Sequence, residues 1–299
     1  MNKNSDLKLL FIINPGSGNN NKDWHTIISD YFKSGTIEYD VFDLPDPCSP
    51  EKIQEKIDEY KPNRVVAVGG DGTVKLVAQC VQQTDIALGI LPAGSANGLA
   101  KELEIPADDN QALDLVINGG TVMIHMININ DHLCIHLSDI GFNAFVVKKF
   151  ETGKKRGMIG YLKASWKVLW SNPMMQLEIK TDTSHIRTEA AMLVLANATK
   201  YGSGALVNPE GKLNDNVFEI VVVKKVSFKE IYKMMFSHSD YDPAKTELYQ
   251  TSSLEVRSKK KVHFQVDGEY LGKLHEIKAT LIPDALKVII PEKKIDSIA

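Results

Sequence analysis

Residues 64–73 read Arg64-Val-Val-Ala-Val-Gly-Gly-Asp-Gly-Thr73, a short β-branched run that stops at two glycines, a carboxylate and a third glycine. An apolar run of this length without polar alternation predicts a strand buried on both faces, as in a parallel sheet. Residues Thr73–Gln83 then carry helical apolar spacing. On one side, Leu7–Ile13 is a similar run ending in Asn14-Pro15-Gly16-Ser17-Gly18. On the other, Ile86–Leu91 ends in Pro92-Ala93-Gly94-Ser95-Ala96-Asn97-Gly98, and Ser95–Leu103 reads as a helix that stops before Pro106. Thr36–Phe42 is a further strand candidate, and Pro50–Tyr60 a helix with Ser49 as its cap. Strands alternating with helices predict a doubly wound α/β domain with right-handed crossovers.

The texture changes near residue 120. Val122–Asn130 and Leu133–Leu137 flank an Asn-Asp-His turn and read as a hairpin. Gln176–Thr181, Ile186–Ala196, Val217–Val223, Leu248–Arg257, Val262–Val266, Ile277–Ile282 and Leu286–Ile290 follow as strands, with helical stretches near 158–171 and 227–236. This half predicts an antiparallel sandwich or barrel. The expected division is an α/β nucleotide-binding domain over 1–125, a β-rich domain over 126–287, and a tail over 288–299 that packs back on the first.

Composition narrows the function. The apolar fraction is 43%, ordinary for a globular protein, and the net charge of −3 argues against a nucleic-acid partner. Cys48, Cys80 and Cys134 form no CxxC pair, which fits neither a zinc ribbon nor a disulfide framework and suits a reducing cytoplasm. The polar start, Met1–Lys8, lacks the apolar core of a signal peptide, and no stretch approaches the ~18 uninterrupted apolar residues of a membrane span. The histidines show no metal-ligand spacing.

Three small-residue loops at strand ends carry the chemistry. In an open α/β sheet the carboxyl ends of the strands line the ligand crevice. Glycines there let the backbone approach a ligand, and a following helix adds the positive end of its dipole, so phosphates are natural guests. Neither GxxxxGK[ST] nor GxGxxG is present, so a nucleotide would be held in another way. Asp71 lies among the glycines; it reads either as a cap for the helix near Thr73 or as a contact to a metal–phosphate complex or an acceptor hydroxyl.

Taken together, NPGSG, GGDGT and Gly89–Ala100 resemble the catalytic domain of the diacylglycerol, sphingosine and ceramide kinases and their bacterial lipid-kinase relatives. Asp139-Ile-Gly-Phe-Asn143, Asn197–Pro209, Lys212-Leu-Asn-Asp215-Asn-Val217 and Gln265-Val-Asp267-Gly-Glu269 continue the likeness to about residue 290. The resemblance implies transfer of the γ-phosphoryl of ATP, with Mg²⁺, to a lipid alcohol such as diacylglycerol or a sphingoid or ceramide-like acceptor. It implies a cytoplasmic enzyme in transient peripheral contact with a membrane, is compatible with a homodimer, and places the active site between the halves. Asn14, Gly16, Ser17, Gly18, Gly69, Gly70, Gly72, Thr73, Gly94, Ser95, Asn97 and Asp267 would form the nucleotide site. Asp71 and Glu269 are the catalytic candidates, and the sequence leaves open which is the general base. By the same resemblance Asp215, with backbone oxygens of Lys212 and Val217, would hold a structural metal; an Asx turn is the other reading of Asp215.

Departures from the family pattern qualify this. Lys75 and Leu76 stand where many members carry Asn-Glu, and Gly98 follows Asn97 where diacylglycerol kinases usually have aspartate, a form nearer the sphingosine and ceramide kinases. Two alternatives follow. One is a lipid- or nucleotide-binding pseudokinase, against which intact Asp71 and Glu269 argue. The other is an NAD-kinase-like enzyme, against which the third loop and the whole second half argue. Ile159, Leu162, Trp166, Leu169 and Trp170 lie among basic residues over 148–170. That segment reads either as a membrane-facing amphipathic helix or as a helix packed on the sheet with a solvated basic face, and Arg156 could reach a phosphate.

Overall fold

The computed structural model describes residues 7–17, 22–33, 35–47, 49–142, 144, 174–201, 205–206, 208, 211–225, 242 and 244–298. The chain forms two compact units, Met1–Ile124 with Asp284–Ala299, and His125–Pro283.

In the first unit, β1 (Lys8–Ile13), β2 (Glu38–Asp43), β3 (Arg64–Gly69) and β4 (Ala87–Pro92) are parallel, in the order β2-β1-β3-β4. The far side of β4 takes the end of β16 (Glu269–Ile290), also parallel, at Val288. The predicted strands are present, and in β1, β3 and β4 five of six residues are fully buried, as expected of strands covered on both faces. Their helices are α1 (Trp24–Phe32), α2 (Pro50–Tyr60), α3 (Asp71–Val81), the short α4 (Gly98–Glu102) and α5 (Asp109–Asn118). The chain leaves β1 for β2 on one side and returns to β3 on the other. The carboxyl ends of β1 and β3 are therefore the topological switch point of this sheet, where ligands of open α/β sheets bind.

The sequence reading passed over α1 and α5. Asp23 caps α1 by accepting from the Thr26 amide (3.2 Å), and the buried Trp24, Ile28 and Phe32 recur at four-residue spacing. Asp108 caps α5 through the Gln111 amide (3.0 Å). Ser49 precedes α2 as predicted, but its hydroxyl accepts no capping hydrogen bond from the helix, leaving Pro50 at the first position to start it. Helix α3 begins two residues earlier than predicted, at Asp71, so Gly70 and not Asp71 is its cap.

The second unit is antiparallel. β7 (Leu137–Gly141), β10 (Met192–Ala196), β13 (Phe218–Val223) and β14 (Thr246–Thr251) lie in the order β14-β13-β10-β7, and β15 (Ser253–Val266) and β16 continue it. The hairpins β5–β6 (Gly120–Ile129, His132–Cys134) and β8–β9 (Met175–Thr181, His185–Ala190) pair onto β16 and β15, and the short strands β11 (Lys200–Tyr201) and β12 (Ala205–Leu206) pair with each other. Ile140, Leu195, Phe218 and Phe264 are buried at the centre of its core.

Four stretches divide into strands differently from the sequence reading. Leu248–Arg257 is split between β14 and β15 at Ser252, and β15 runs on through the predicted Val262–Val266. The predicted strand Leu133–Leu137 is broken, because the Asp267 carboxylate takes the amides of Ile135, His136 and Leu137 away from the ladder. Ile186–Ala196 is two strands, since β9 pairs with β8 while β10 pairs with β7 and β13. Conversely, Ile277–Ile282 and Leu286–Ile290 belong to the single strand β16. The predicted helices near 158–171 and 227–236 lie outside the described residues, as does Cys48; Cys80 and Cys134 are free and buried.

Asp182, in the β8–β9 turn, ties that turn to residues between β14 and β15. It accepts from the Ser252 hydroxyl (2.7 Å), the Ser252 amide (2.8 Å), the Ser253 amide (3.2 Å) and the Ser253 hydroxyl. The serine hydroxyls, Ser253 first, hold its carboxyl far below the usual carboxylate range. A depressed folded pKa contributes stability that is present above the unfolded value near 4 and is lost as pH falls through the folded one. Asp182→Asn is therefore expected to lower Tm at pH 7 and to shrink the loss of Tm on going to pH 3. Equal pH dependence in the two proteins, read by thermal melts, would contradict this.

Candidate functional site

Three loops of the first unit meet at the carboxyl ends of β1, β3 and β4. Asn14 follows β1, and its amide donates to Val68 O (3.0 Å). Its side chain bridges two loops: Nδ2 donates to Thr73 Oγ1 (3.0 Å) in the first turn of α3, while Oδ1 accepts from the Gly16 amide (3.0 Å). Ser17 closes this turn through its hydroxyl to Asn14 O (2.8 Å). Gly18 lies outside the described residues.

The second and third loops touch backbone to backbone. A Cβ on Gly94 would lie 2.4 Å from Gly70 Cα, and one on Gly69 would lie 2.3 Å from Thr73 Oγ1, so neither position admits a side chain without displacement. Asn97, at φ 50°, folds the third loop on itself: its Oδ1 accepts from the Gly94 amide and its Nδ2 donates to Gly94 O, both at 2.9 Å. Ser95 is exposed on the rim.

Asp71 joins the second loop to the third, because its Oδ1 accepts from the Leu99 amide (3.2 Å). Its other carboxylate oxygen has no hydrogen-bond partner among the described residues. Helix α3 has no side-chain cap, which leaves first-turn amides available at the positive end of an eleven-residue dipole. Gly72 is exposed there, and a Cβ added to it would meet nothing within 4 Å. The arrangement is a cradle of amides with one carboxylate in it, which suits an anion accompanied by a cation.

Glu269 and Asp267 belong to the second unit. Asp267 (φ 50°) and Gly268 (φ 86°) form the two-residue turn that joins β15 to β16, closed by the pair Val266–Glu269. Two positive φ values make this a type I′ turn, for which Asp-Gly is a favoured sequence. The Asp267 carboxylate accepts from the amides of Ile135 (3.1 Å), His136 (2.9 Å) and Leu137 (3.2 Å), and its own amide donates to Leu137 O (2.8 Å). From behind, the Gly268 amide donates to Oε1 of the buried Gln265 (2.7 Å), whose Nε2 donates to the buried Asp139; Asp139 in turn accepts from the Ala144 amide (2.7 Å). The turn that carries the exposed Glu269 is thus fixed on both sides. Gln265 and Asp139 escaped the sequence reading as supports, though Asp-Gly between two apolar runs was a signal for the hairpin itself.

Asp215 follows Leu213, whose carbonyl accepts from the His125 amide (2.7 Å). Its Oδ1 is buried without a partner, and burial raises its pKa against the opposing pull of the Val217 amide. Glu219 lies nearby, buried, its carboxyl also raised by burial; its Oε2 accepts from Asn208 Nδ2 (2.5 Å) and its Oε1 from Gln250 Nε2 (3.1 Å). Glu219 carried no distinguishing sequence signal, and Asn208 entered the sequence reading only as part of the segment 197–209. Among the described residues no three His, Cys, Asp or Glu side chains group as a metal site, so any cation here would depend on backbone oxygens, such as those of Lys212 and Val217.

Comparison with known proteins places the chain. Residues 8–129 match the family profile of the diacylglycerol kinase catalytic domain, and residues 138–290 that of the YegS C-terminal NAD kinase beta sandwich-like domain. The chain belongs to this family of diacylglycerol and YegS-like lipid kinases. It is an ATP-dependent lipid kinase, a phosphotransferase with an alcohol acceptor. A protein of Chromohalobacter salexigens named "Probable lipid kinase YegS-like" is 28% identical over 244 residues, spanning 77% of this chain and 76% of that protein. A diacylglycerol kinase of Staphylococcus epidermidis is 26% identical over 229 residues, spanning 74% and 72%. In fold, a diacylglycerol kinase from Bacillus anthracis aligns with TM-score 0.72 at 17% identity over 98% of both chains. An NAD kinase from Archaeoglobus fulgidus, solved with ATP, aligns with TM-score 0.56 at 14% identity over 98% of this chain and 97% of that one. The fold is thus shared with an NAD kinase, and the family match, in line with the sequence expectation, places the chain among the lipid kinases. No helix among the described residues is long and apolar enough to cross a membrane.

Proposed function

We propose that the amide cradle at the switch point binds the ATP phosphates and that Glu269 takes the proton from the acceptor hydroxyl of a diacylglycerol-like lipid. The observation that carries the first part is the convergence of three loops through Asn14–Thr73, Gly70–Gly94 and Asp71–Leu99. Phosphoryl transfer requires positioning and charge neutralisation more than covalent chemistry, and a rigid set of amides supplies both. To this cradle we assign Asn14, Gly16, Ser17, Gly69, Gly70, Gly72, Thr73, Gly94, Ser95 and Asn97; Gly18 lies outside the described residues. Asp71 has one oxygen holding the third loop and one without a partner among the described residues, which fits a hard cation. Mg²⁺ there would neutralise the triphosphate and the charge that develops on transfer. Asp267 serves the site by bracing the turn; its oxygens are engaged by three amides, and this supports a positioning role and not a nucleotide contact.

Two observations support this split of roles. Asp71 Oδ1 already accepts a hydrogen bond that holds the third loop, whereas Glu269 is exposed at the tip of a fixed turn. The names of the relatives favour diacylglycerol over sphingoid acceptors. A cytoplasmic enzyme that visits the membrane face where its substrate lies fits the lack of a spanning helix among the described residues. The test is labelled ATP with Mg²⁺ and, separately, diacylglycerol, sphingosine, ceramide and NAD. Label should enter diacylglycerol; entry into NAD alone, or into none, would refute the proposal.

Asp215 is proposed to hold a structural cation with backbone oxygens of Lys212 and Val217. The buried, unpartnered Oδ1 is costly as it stands and fits a hard ion. Divalent cation is expected to raise Tm in the wild type and to leave Asp215→Asn unmoved. If both respond alike, by differential scanning fluorimetry without nucleotide, Asp215 is not the ligand.

A further inference from the structure

Strand β15 is paired with β16 as far as Arg257–Glu276 and again from Val262–Leu274. Residues 258–261 thus stand opposite His275 alone, and the surplus chain bulges out. The bulge carries Lys259, Lys260 and Lys261, all exposed. With Lys273 they line a concavity of ≈ 560 Å³ that also includes Met174, 45% exposed and the one large hydrophobic side chain so exposed among the described residues.

None of these four lysines forms an ion pair among the described residues. Other lysines of the described residues are matched, among them Lys22 to Asp109, Lys56 to Asp40, Lys224 to Glu247 and Lys278 to Glu276. The acidic residue in the lining, Glu189, accepts from Gln176 Nε2 (3.0 Å). A chain of net charge −3 therefore concentrates unmatched positive charge on one small face. Such clustering costs self-repulsion, which an anionic partner relieves. A bulge is also a device for aiming side chains outward at a sheet surface.

We propose that the lysine bulge of β15, with Lys273 and Met174, is the surface on which this enzyme rests against an anionic phospholipid bilayer. The proposal rests on the membrane-visiting lipid kinase described above and gives that contact a place. Charge complementarity selects the partner: the lysines meet phosphate head groups, and the unbranched Met174 packs among glycerol and acyl carbons. Among the described residues no phenylalanine, tyrosine or tryptophan lines the concavity, which does not favour the stacking platform of a single-stranded nucleic-acid site. Each lysine at an anionic surface contributes about 1 kcal/mol, near fivefold in partitioning, so the contact is reversible and salt-sensitive.

The test is co-sedimentation of the full chain with phosphatidylcholine vesicles with and without phosphatidylglycerol. Wild type should bind the anionic vesicles, and high salt should release it. Lys259→Glu/Lys261→Glu should weaken binding about thirtyfold or more. Lys33→Glu/Lys52→Glu, an equal change of charge in the first unit, should keep it. Turnover of lipid dispersed in neutral detergent micelles should survive in the bulge variant, while turnover on anionic vesicles falls. The proposal is overturned if the bulge variant sediments like wild type, if both variants lose binding equally, or if wild type ignores phosphatidylglycerol. Vesicle binding by a protein inactive on micellar lipid would support the surface and count against the kinase reading.

Discussion

Glu269→Gln is expected to lower kcat by about 10²–10⁴-fold, the usual contribution of a general base, while ATP affinity and Tm stay near wild type. The side chain is exposed and sits at the end of a turn whose conformation is set by others. Asp267 binds three amides on one flank, and Gln265 takes the Gly268 amide on the other. Glutamine is isosteric and leaves that scaffold untouched, so a loss of rate would report the missing proton acceptor. Asp71→Asn is the companion measurement. Asparagine still accepts the Leu99 amide through its oxygen but loses the charge offered to a cation, so it should raise the Mg²⁺ requirement. If Glu269→Gln turns over at full rate and Asp71→Asn is dead, the base is Asp71. Steady-state kinetics across Mg²⁺ concentrations decide between them.

Gly72→Ala should separate stability from nucleotide binding. Gly72 lies in the first turn of α3, where an added Cβ meets nothing, so alanine is accommodated. Alanine in place of a helical glycine stabilises by roughly 0.5–1 kcal/mol, and Tm should hold or rise slightly. A methyl group at an amide cradle, however, keeps a phosphate from approaching the backbone. The dissociation constant for ATP is expected to rise at least tenfold, about 1.4 kcal/mol. Gly94→Ala is the contrasting case: its Cβ would lie 2.4 Å from Gly70 Cα, so the two loops must part. Overpacking of that kind costs about 1–3 kcal/mol, and both Tm and affinity should fall. Should Gly72→Ala bind ATP as tightly as wild type, by calorimetry, the phosphates do not lie on α3.

The alternation of strand and helix in the first half was legible because each buried strand is a continuous apolar run ending in glycine. Helices α1 and α5 were passed over although their buried residues sit at helical spacing, because their caps, Asp23 and Asp108, lie in polar runs that disguise them. In the second half, strand existence was legible but strand identity was not. What splits 133–141 is a carboxylate about 130 residues away in sequence, Asp267, which no local pattern records. Likewise the extra residues in β15 become a bulge only through the register of β16. In the candidate site the glycine loops announced themselves. The roles within them did not, since the Asp71–Leu99 and Asn14–Thr73 bonds join residues 28 and 59 positions apart.

Strand β16 has a consequence for how the protein is made. Its last residues, including the buried Val288, Ile289 and Ile290, lie against β4 at the margin of the parallel sheet. A ribosome that has delivered everything through Ile124 has supplied the phosphate loops but not this border. The nascent sheet would wait with the flank of β4 uncovered, open to unwanted pairing, until nearly the whole polypeptide has emerged. A truncated product ending before Asp284 is therefore expected to aggregate, and a holding chaperone to matter most late in synthesis.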